Sequence, residues 1–179
     1  LIQTVDGSNQ IQIVWNQSYS AGGFTQVHQQ MNQLLVATIT REASKYHPKQ
    51  VIDLFGGNGN LTQNLTESAV WVLDHFTRPM TARTGQSFVA VDLYRAKKLH
   101  YIPQLPPPES ENLLVVDPPR TGFKRLLPWI EKYTPRTLFW IACNPTTLAR
   151  DLTPVMPHYR VQALFLFDFF PSTYHFETL

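Results

Sequence analysis

Apolar residues along this chain fall into short continuous runs, separated by polar, glycine-rich or proline-rich stretches. The runs Val51–Phe55, Val70–Leu73, Phe88–Val91, Leu113–Val116, Leu138–Ala142 and Val161–Phe167 predict six strands. Continuous rather than alternating apolarity is the mark of strands covered on both faces, as in parallel sheets flanked by helices. Helical spacing appears from about Thr25 to Tyr46, where Val27, Met31, Leu34, Leu35, Ile39 and Ala43 make one apolar stripe. Shorter helical connections are predicted at 60–66, 123–133 and 146–152. The link from Asp74 to Phe88 is short and carries Pro79 and Gly85, so any helix there is stunted, and Pro103 to Pro108 reads as a rigid loop. Residues 1–23 read as a hairpin or linker, with Ile11, Ile13 and Trp15 alternating after the turn signal Asp6-Gly7-Ser8-Asn9. The alternation of strand and connection predicts an α/β fold with a doubly wound, mainly parallel sheet over residues 24–179.

Composition narrows the picture slightly. A chain of 179 residues that is 43% hydrophobic can bury one core. Its single cysteine excludes an internal disulfide framework, a multi-cysteine metal site and an iron–sulfur cluster within this segment. No apolar run approaches the roughly 20 residues of a membrane span and no leader pattern is visible, so a membrane partner is not expected and the cytoplasm is the expected compartment. A net charge of +2 is weak evidence for a polyanionic partner.

Candidate chemistry lies where strands are predicted to end. Gly56-Gly57-Asn58-Gly59 follows a strand, and its glycines let backbone N–H groups approach a ligand closely. The spacing is not the dinucleotide pattern, because the third glycine is missing. Asp74 and Asp92 end the next two strands, where acids can hold ribose hydroxyls or an adenine amino group; either can instead be a solvated strand-end charge. Cys143 follows the run Thr137–Ile141, so the thiol should emerge at a strand's carboxyl end, where open α/β sheets bind ligands. Alone, a single cysteine is most simply a small buried apolar residue.

The motifs together resemble the catalytic domain of the RNA 5-methyluridine methyltransferases. Phe24-Thr25-Gln26 matches the F-x-Q that opens that domain. Asp53 to Asn60 matches its cofactor loop, with Gly56 where the family often has cysteine. Asp117-Pro118-Pro119-Arg120-Thr121-Gly122 matches D-P-P-R-x-G. Cys143-Asn144-Pro145-Thr146-Thr147-Leu148 matches S-C-N-P-x-T-L, with Ala142 for serine, and Phe170 to Glu177 matches F-P-x-T-x-H-x-E. The resemblance implies a Rossmann-like class I methyltransferase fold, here expected to lack its last strand, and S-adenosylmethionine as cofactor, with no metal. It implies a uridine in transfer or ribosomal RNA as substrate, unpaired or flipped from its stack.

Residue by residue, the resemblance implies Cys143 as nucleophile and Glu177 as base. It places Gln26, Phe55, Gly57, Asn60, Asp74 and Asp117 at the cofactor, with Asp92 as an addition, and lets Pro118, Arg120, Asn144 and His175 shape the pocket. Such chemistry needs a partly ionised thiol, and Arg120 and His175 are the candidates for its electropositive surroundings. Of the aromatic run Phe165, Phe167, Phe169 and Phe170, core packing is the expected use rather than base stacking. The family's RNA-binding barrel and cysteine cluster are not expected within these 179 residues. Two other readings stand beside it: a non-catalytic RNA-binding or scaffold domain that keeps the fold, and a nicotinamide-dependent oxidoreductase resting on the glycine loop alone.

Overall fold

Residues 2–5, 11–14, 28–75, 85–95, 102–108 and 111–179 are described in the structure, a computed structural model. Strands β1 (Ile2–Val5) and β2 (Ile11–Val14) form an antiparallel hairpin, pairing Ile2 with Val14. The turn Asp6–Asn9, Trp15 and the Phe24–Gln26 motif lie outside the described residues. Helix α1 (Gln29–Ser44) leads into β3 (Gln50–Leu54), β4 (Ala69–Asp74), β5 (Gln86–Ala90) and β6 (Asn112–Val116). Then come α2 (Leu126–Tyr133), β7 (Thr137–Trp140), α3 (Pro145–Leu152), β8 (Leu166–Phe167) and β9 (Glu177–Thr178).

Five strands make one parallel sheet in the order β5-β4-β3-β6-β7. The expected mainly parallel α/β sheet is present. Its order reverses between β3 and β6, which makes their carboxyl ends the switch point where such sheets form a crevice.

Period-two alternation decides which side chain serves which layer. Val51, Val70, Val72, Leu113, Val115 and Ile141 pack with Leu35, Val36, Ile39 and Ala43 of α1. Their neighbours Ile52, Leu54, Leu73, Leu114 and Val116 pack with Phe123, Leu126, Trp129, Ile130 and Tyr133 around α2, and Leu148 and Leu152 of α3 join from the edge. The α1 stripe differs by one position from the expected one: Leu34 is 52% exposed, and Val36 takes its place inside.

Two expected elements are not formed as drawn. Residues 60–66 make turns rather than a helix. Their side chains bond elsewhere, Thr62 Oγ1 to Asp53 and the Asn60 amide to Asn32, and the backbone closes only three-residue turns such as Leu65 N–H to Thr62 O. The predicted strand 161–167 is reduced to β8, because only Phe165 to Phe167 meet partners, in β9 and Leu179, while Val161 and Leu164 are exposed. β9 lies between β7 and β8: Thr178 pairs with Leu166 on one side and forms an antiparallel bridge with Ala142 on the other. No helix among the described residues is long and apolar enough to cross a membrane.

Candidate active site

The same alternation that places Val51, Val70 and Val72, Val115 and Ile141 toward α1 carries on past them along each strand. It puts Asp53, Asp74 and Asp117 on the α1 side of the sheet, at the carboxyl edges of β3, β4 and β6, while Cys143 follows β7 at a bend beyond its carboxyl end. The expected convergence of loop and acids on one edge is therefore built by strand register.

Glu177 reaches Cys143 through β9. Ala142 and Thr178 exchange two backbone hydrogen bonds, of 3.0 and 2.9 Å, and the Thr178 hydroxyl adds a third bond to Ala142 O at 2.9 Å. Cys143 and Glu177 are the next residues along the two bridged segments, and the charge of Glu177 acts on the thiol. On its other flank Glu177 pairs with Phe167, which is buried. Being enclosed at that edge pushes the Glu177 carboxyl up to about 7.

The thiol of half-buried Cys143 is pushed above its ordinary value. Burial is the main cause and the charge of Glu177 the next, while its own backbone hydrogen bonding and then Arg120 pull the other way. Arg120 thus acts in the expected direction but does not prevail, and His175 is not among the causes. Its ring packs 4.2 Å from Tyr174 and edge-on to Phe170, at the end of a loop tied by Thr173.

Asp117 is pushed well above the usual carboxylate range, first by burial and then by the charges of Glu177, Asp53 and Asp74. Asp53 is fully buried and raised to about 7 by burial; the Thr62 hydroxyl at 2.8 Å lowers it and Asp74 raises it. Its second oxygen, Oδ1, has no hydrogen-bond partner among the described residues. Asp117 thus stands near three other acids, each of which disfavours its charge.

The glycine loop is held onto this edge. Gly57, at φ +55°, donates its N–H to Asp74 Oδ2 at 3.0 Å, and a Cβ there would stand in open space. A Cβ on Gly56 would lie 2.6 Å from Asp53 Cγ and 2.7 Å from Val72 Cγ1, so this chain has no room for the cysteine common at that place in the family it resembles. Phe55 adopts φ +64°, rare for a bulky residue, and its ring packs against Tyr94 and Phe123 at 5.5 and 5.0 Å. Asn60 and Asn32 exchange amide hydrogen bonds of 2.8 and 3.2 Å, locking the loop to α1.

Asp92 accepts from the N–H groups of Tyr94 and Arg95, so one of its oxygens serves a local turn. Asn144 caps α3 by accepting from the N–H of Thr146 and Thr147, with Pro145 in the first turn. Pro118 is buried and Pro119 starts a turn closed by Gly122 N–H to Pro119 O at 2.7 Å. Gln26 lies outside the described residues. The aromatic run divides: Phe167 and Phe169 are core, whereas Phe170 is 38% exposed. Sequence reasoning passed over Tyr174, 83% exposed, and Tyr94, whose hydroxyl bonds Gly122 O at 2.9 Å. Tyr174 occupies an unspecified position inside the Phe170–Glu177 motif and Tyr94 stands outside every motif, so no pattern marks either.

Comparison with known proteins gives the same direction. Residues 109–179 match the family model tRNA (Uracil-5-)-methyltransferase. The 23S rRNA (uracil(1939)-C(5))-methyltransferase RlmD of Tolumonas auensis is 32% identical over 170 residues, covering 90% of this chain and 39% of that protein. Its counterpart in Shewanella putrefaciens is 30% identical over 171 residues, with 90% and 38% covered. The chain therefore spans about two fifths of these relatives' length. Among solved structures, Pyrococcus abyssi tRNA (uracil-54, C5)-methyltransferase, in complex with S-adenosyl-L-homocysteine, superposes with a TM-score of 0.66 at 18% identity, covering 98% of this chain and 47% of that one. Magnesium protoporphyrin IX methyltransferase from Synechocystis, with bound SAM, gives 0.50 at 13% identity, with 84% and 78% covered. The fold is thus a Rossmann-like, mainly parallel sheet of the kind these two structures have. Residues 109–179 are thus similar to the tRNA (Uracil-5-)-methyltransferase family model, and most of the chain is similar to part of the RlmD-type 23S rRNA (uracil-C(5))-methyltransferases.

Proposed function

We propose that this chain transfers a methyl group to C5 of a uridine in transfer or ribosomal RNA through a covalent bond between Cys143 and C6 of the base. The observation that carries the reading is the Ala142–Thr178 bridge, which supports it by bringing the Glu177 end of β9 to the segment of Cys143, where the Glu177 charge acts on the thiol.

S-adenosylmethionine fits the edge described above and supplies the methyl group when bound. Its sulfonium and ammonium charges match the carboxylates of Asp53, Asp74 and Asp117, and the partnerless Asp53 Oδ1 is an acceptor buried at that edge. A Cβ on Gly57 would meet nothing within 4 Å among the described residues, so the loop backbone can be approached there.

The chain's own residues do the rest. Uracil C5 is a weak nucleophile until the Cys143 thiolate adds to C6 and breaks the ring conjugation; one hard step becomes several easier ones. After methylation, Glu177 removes the C5 proton, the C5–C6 double bond re-forms and the thiolate leaves. A carboxyl raised to about 7 is matched to taking a proton near neutral pH. Burial and the charge of Glu177 hold the thiol above its ordinary value while Arg120 draws it the other way, and a cationic cofactor held by the acids would favour the thiolate. A thiol cannot reach C6 inside a paired helix, so the uridine is unpaired or flipped.

The scaffold reading draws on the same raised thiol, since burial disfavours the thiolate. RNA carrying 5-fluorouridine decides, because fluorine at C5 cannot leave as a proton and the adduct is trapped. Wild type with cofactor should give a shifted band on a denaturing gel, and Cys143→Ala none. Glu177→Gln on ordinary RNA should accumulate a methylated covalent complex. If no protein gives a shifted band, the scaffold reading replaces this one; if Glu177→Gln turns over normally, another residue is the base.

A further inference from the structure

Away from the thiol and Glu177, one buried charge has no part in the chemistry above. Asp151, in the last turn of α3, is 3% exposed. Its carboxylate accepts the backbone N–H of Phe123 on Oδ2 at 2.6 Å, and it is forked by Arg150, Nε to Oδ1 at 2.6 Å and Nη2 to Oδ2 at 2.9 Å. The same Arg150 Nη2 donates to Thr121 O at 2.8 Å. One turn earlier, Thr147 Oγ1 lies 3.4 Å from Arg120 O. Helix α3 therefore grips the backbone of residues 120, 121 and 123, and Gly122 sits in the grip. Gly122 has φ +78°, and a Cβ on it would stand 2.2 Å from Asp151 Oδ2 and 2.6 Å from Arg150 Nη2.

The gripped turn and the gripping helix begin at the two halves of the site. The turn starts at Asp117 and carries Arg120; the helix starts at Pro145, two residues after Cys143. We propose that Asp151, together with Arg150, is a positioning residue that latches the Asp117–Gly122 turn to α3 and so fixes Arg120 and Asp117 relative to the Cys143 thiol. A buried ionic group is a poor way to hold a helix in place when packing alone would do. Its bonds here are directional and charge-assisted, and they set a backbone at a fixed distance, which a smooth apolar contact does not.

The catalytic consequence rests on the methyl-transfer reading, but the positional one does not. Cys143 is the chain's single cysteine, so its alkylation by iodoacetamide reads the thiol alone. The charges that act on it are Glu177 from β9, and Arg120 and Asp117 from the gripped turn, with Arg120 the stronger of the last two. The full chain is compared as wild type, Asp151→Ala and Asp151→Asn, with circular dichroism confirming the fold of each. Freed of its latch, the turn withdraws Arg120, and the pH profile of alkylation moves to higher pH in Asp151→Ala. Asp151→Asn, which keeps an oxygen for Phe123 N–H, should move it less, and it serves alone where the alanine variant does not fold. With 5-fluorouridine RNA, adduct formation in Asp151→Ala should slow roughly 100-fold, the effect of about 1 Å of misplacement. A folded Asp151→Asn or Asp151→Ala protein whose alkylation profile coincides with wild type, or moves to lower pH, overturns the latch. If wild type forms no adduct, the methyl-transfer reading fails while the alkylation comparison still judges the latch.

Discussion

Replacing Glu177 by glutamine should stabilise the protein at alkaline pH while abolishing its release of product. The carboxyl stands at about 7 in the fold against an ordinary 4.5, because burial between Phe167 and the Cys143 edge disfavours its charge. A folded value raised above the unfolded one means that the native state binds the proton more tightly. Stability from this group is complete below pH 4.5 and is lost as pH rises through 7. At about 1.4 kcal/mol per pH unit, the ceiling is about 3 kcal/mol, and solvent screening at this partly open edge reduces it to roughly 1–2 kcal/mol. Glutamine keeps the shape and carries no charge, so it escapes that loss. It also removes one of the charges that press on Asp117, which adds in the same direction. For a chain of this length the gain corresponds to a midpoint about 2–8 °C higher. Thermal unfolding of both proteins from pH 4.5 to 8.5 should give coincident midpoints at the acid end and a widening gap above pH 6. A constant gap, or a variant less stable than wild type at pH 8, would refute the claim that Glu177 is a desolvated carboxylate.

Three further outcomes follow from the same geometry. Gly56→Ala should cost about 1–3 kcal/mol in urea unfolding, since its Cβ meets Asp53 and Val72 within 2.7 Å; a neutral result would mean that the loop yields freely. In a double-mutant cycle, Asn32→Ala and Asn60→Ala should couple by about 0.5–3 kcal/mol through their exchanged amide bonds, whereas simple additivity would separate loop from helix. Asp74→Ala should weaken S-adenosylmethionine binding by roughly 1–3 kcal/mol in calorimetry, through the loss of its own bonds and of its hold on Gly57 N–H. Unchanged affinity would assign the cofactor's ribose to another acid, with Asp92 next to test.

The chain's own order of residues settles much of this molecule. Continuous apolar runs are legible as strands because a buried parallel strand has no polar face to show, and all five parallel strands lie where those runs predict them. Asp74 and Asp117 are legible as edge residues, since each follows such a run, whereas Asp53 sits inside the run Val51–Phe55. The motifs around Cys143 and Glu177 were readable as chemistry only by resemblance, because 34 residues separate them and no local period joins them.

Tertiary structure decided the rest, for reasons that local pattern cannot carry. Residues 60–66 have spacing compatible with a helix, with Leu61 and Leu65 both buried, yet Asp53 and Asn32 claim the side chains of Thr62 and Asn60 from across the fold. The apolar stretch 161–167 has strand-like residues throughout, but a strand exists only where a partner meets it, and pairing begins at Phe165. The thiol's ionisation was expected to follow from nearby cations, and it follows instead from burial and from the carboxylates that the sheet gathers around it. Asp151 shows the limit most plainly. In the sequence it is one charge beside another near the end of a helix, and its three bonds to Phe123 and Arg150 exist because the fold brings helix α3 against the turn that follows β6.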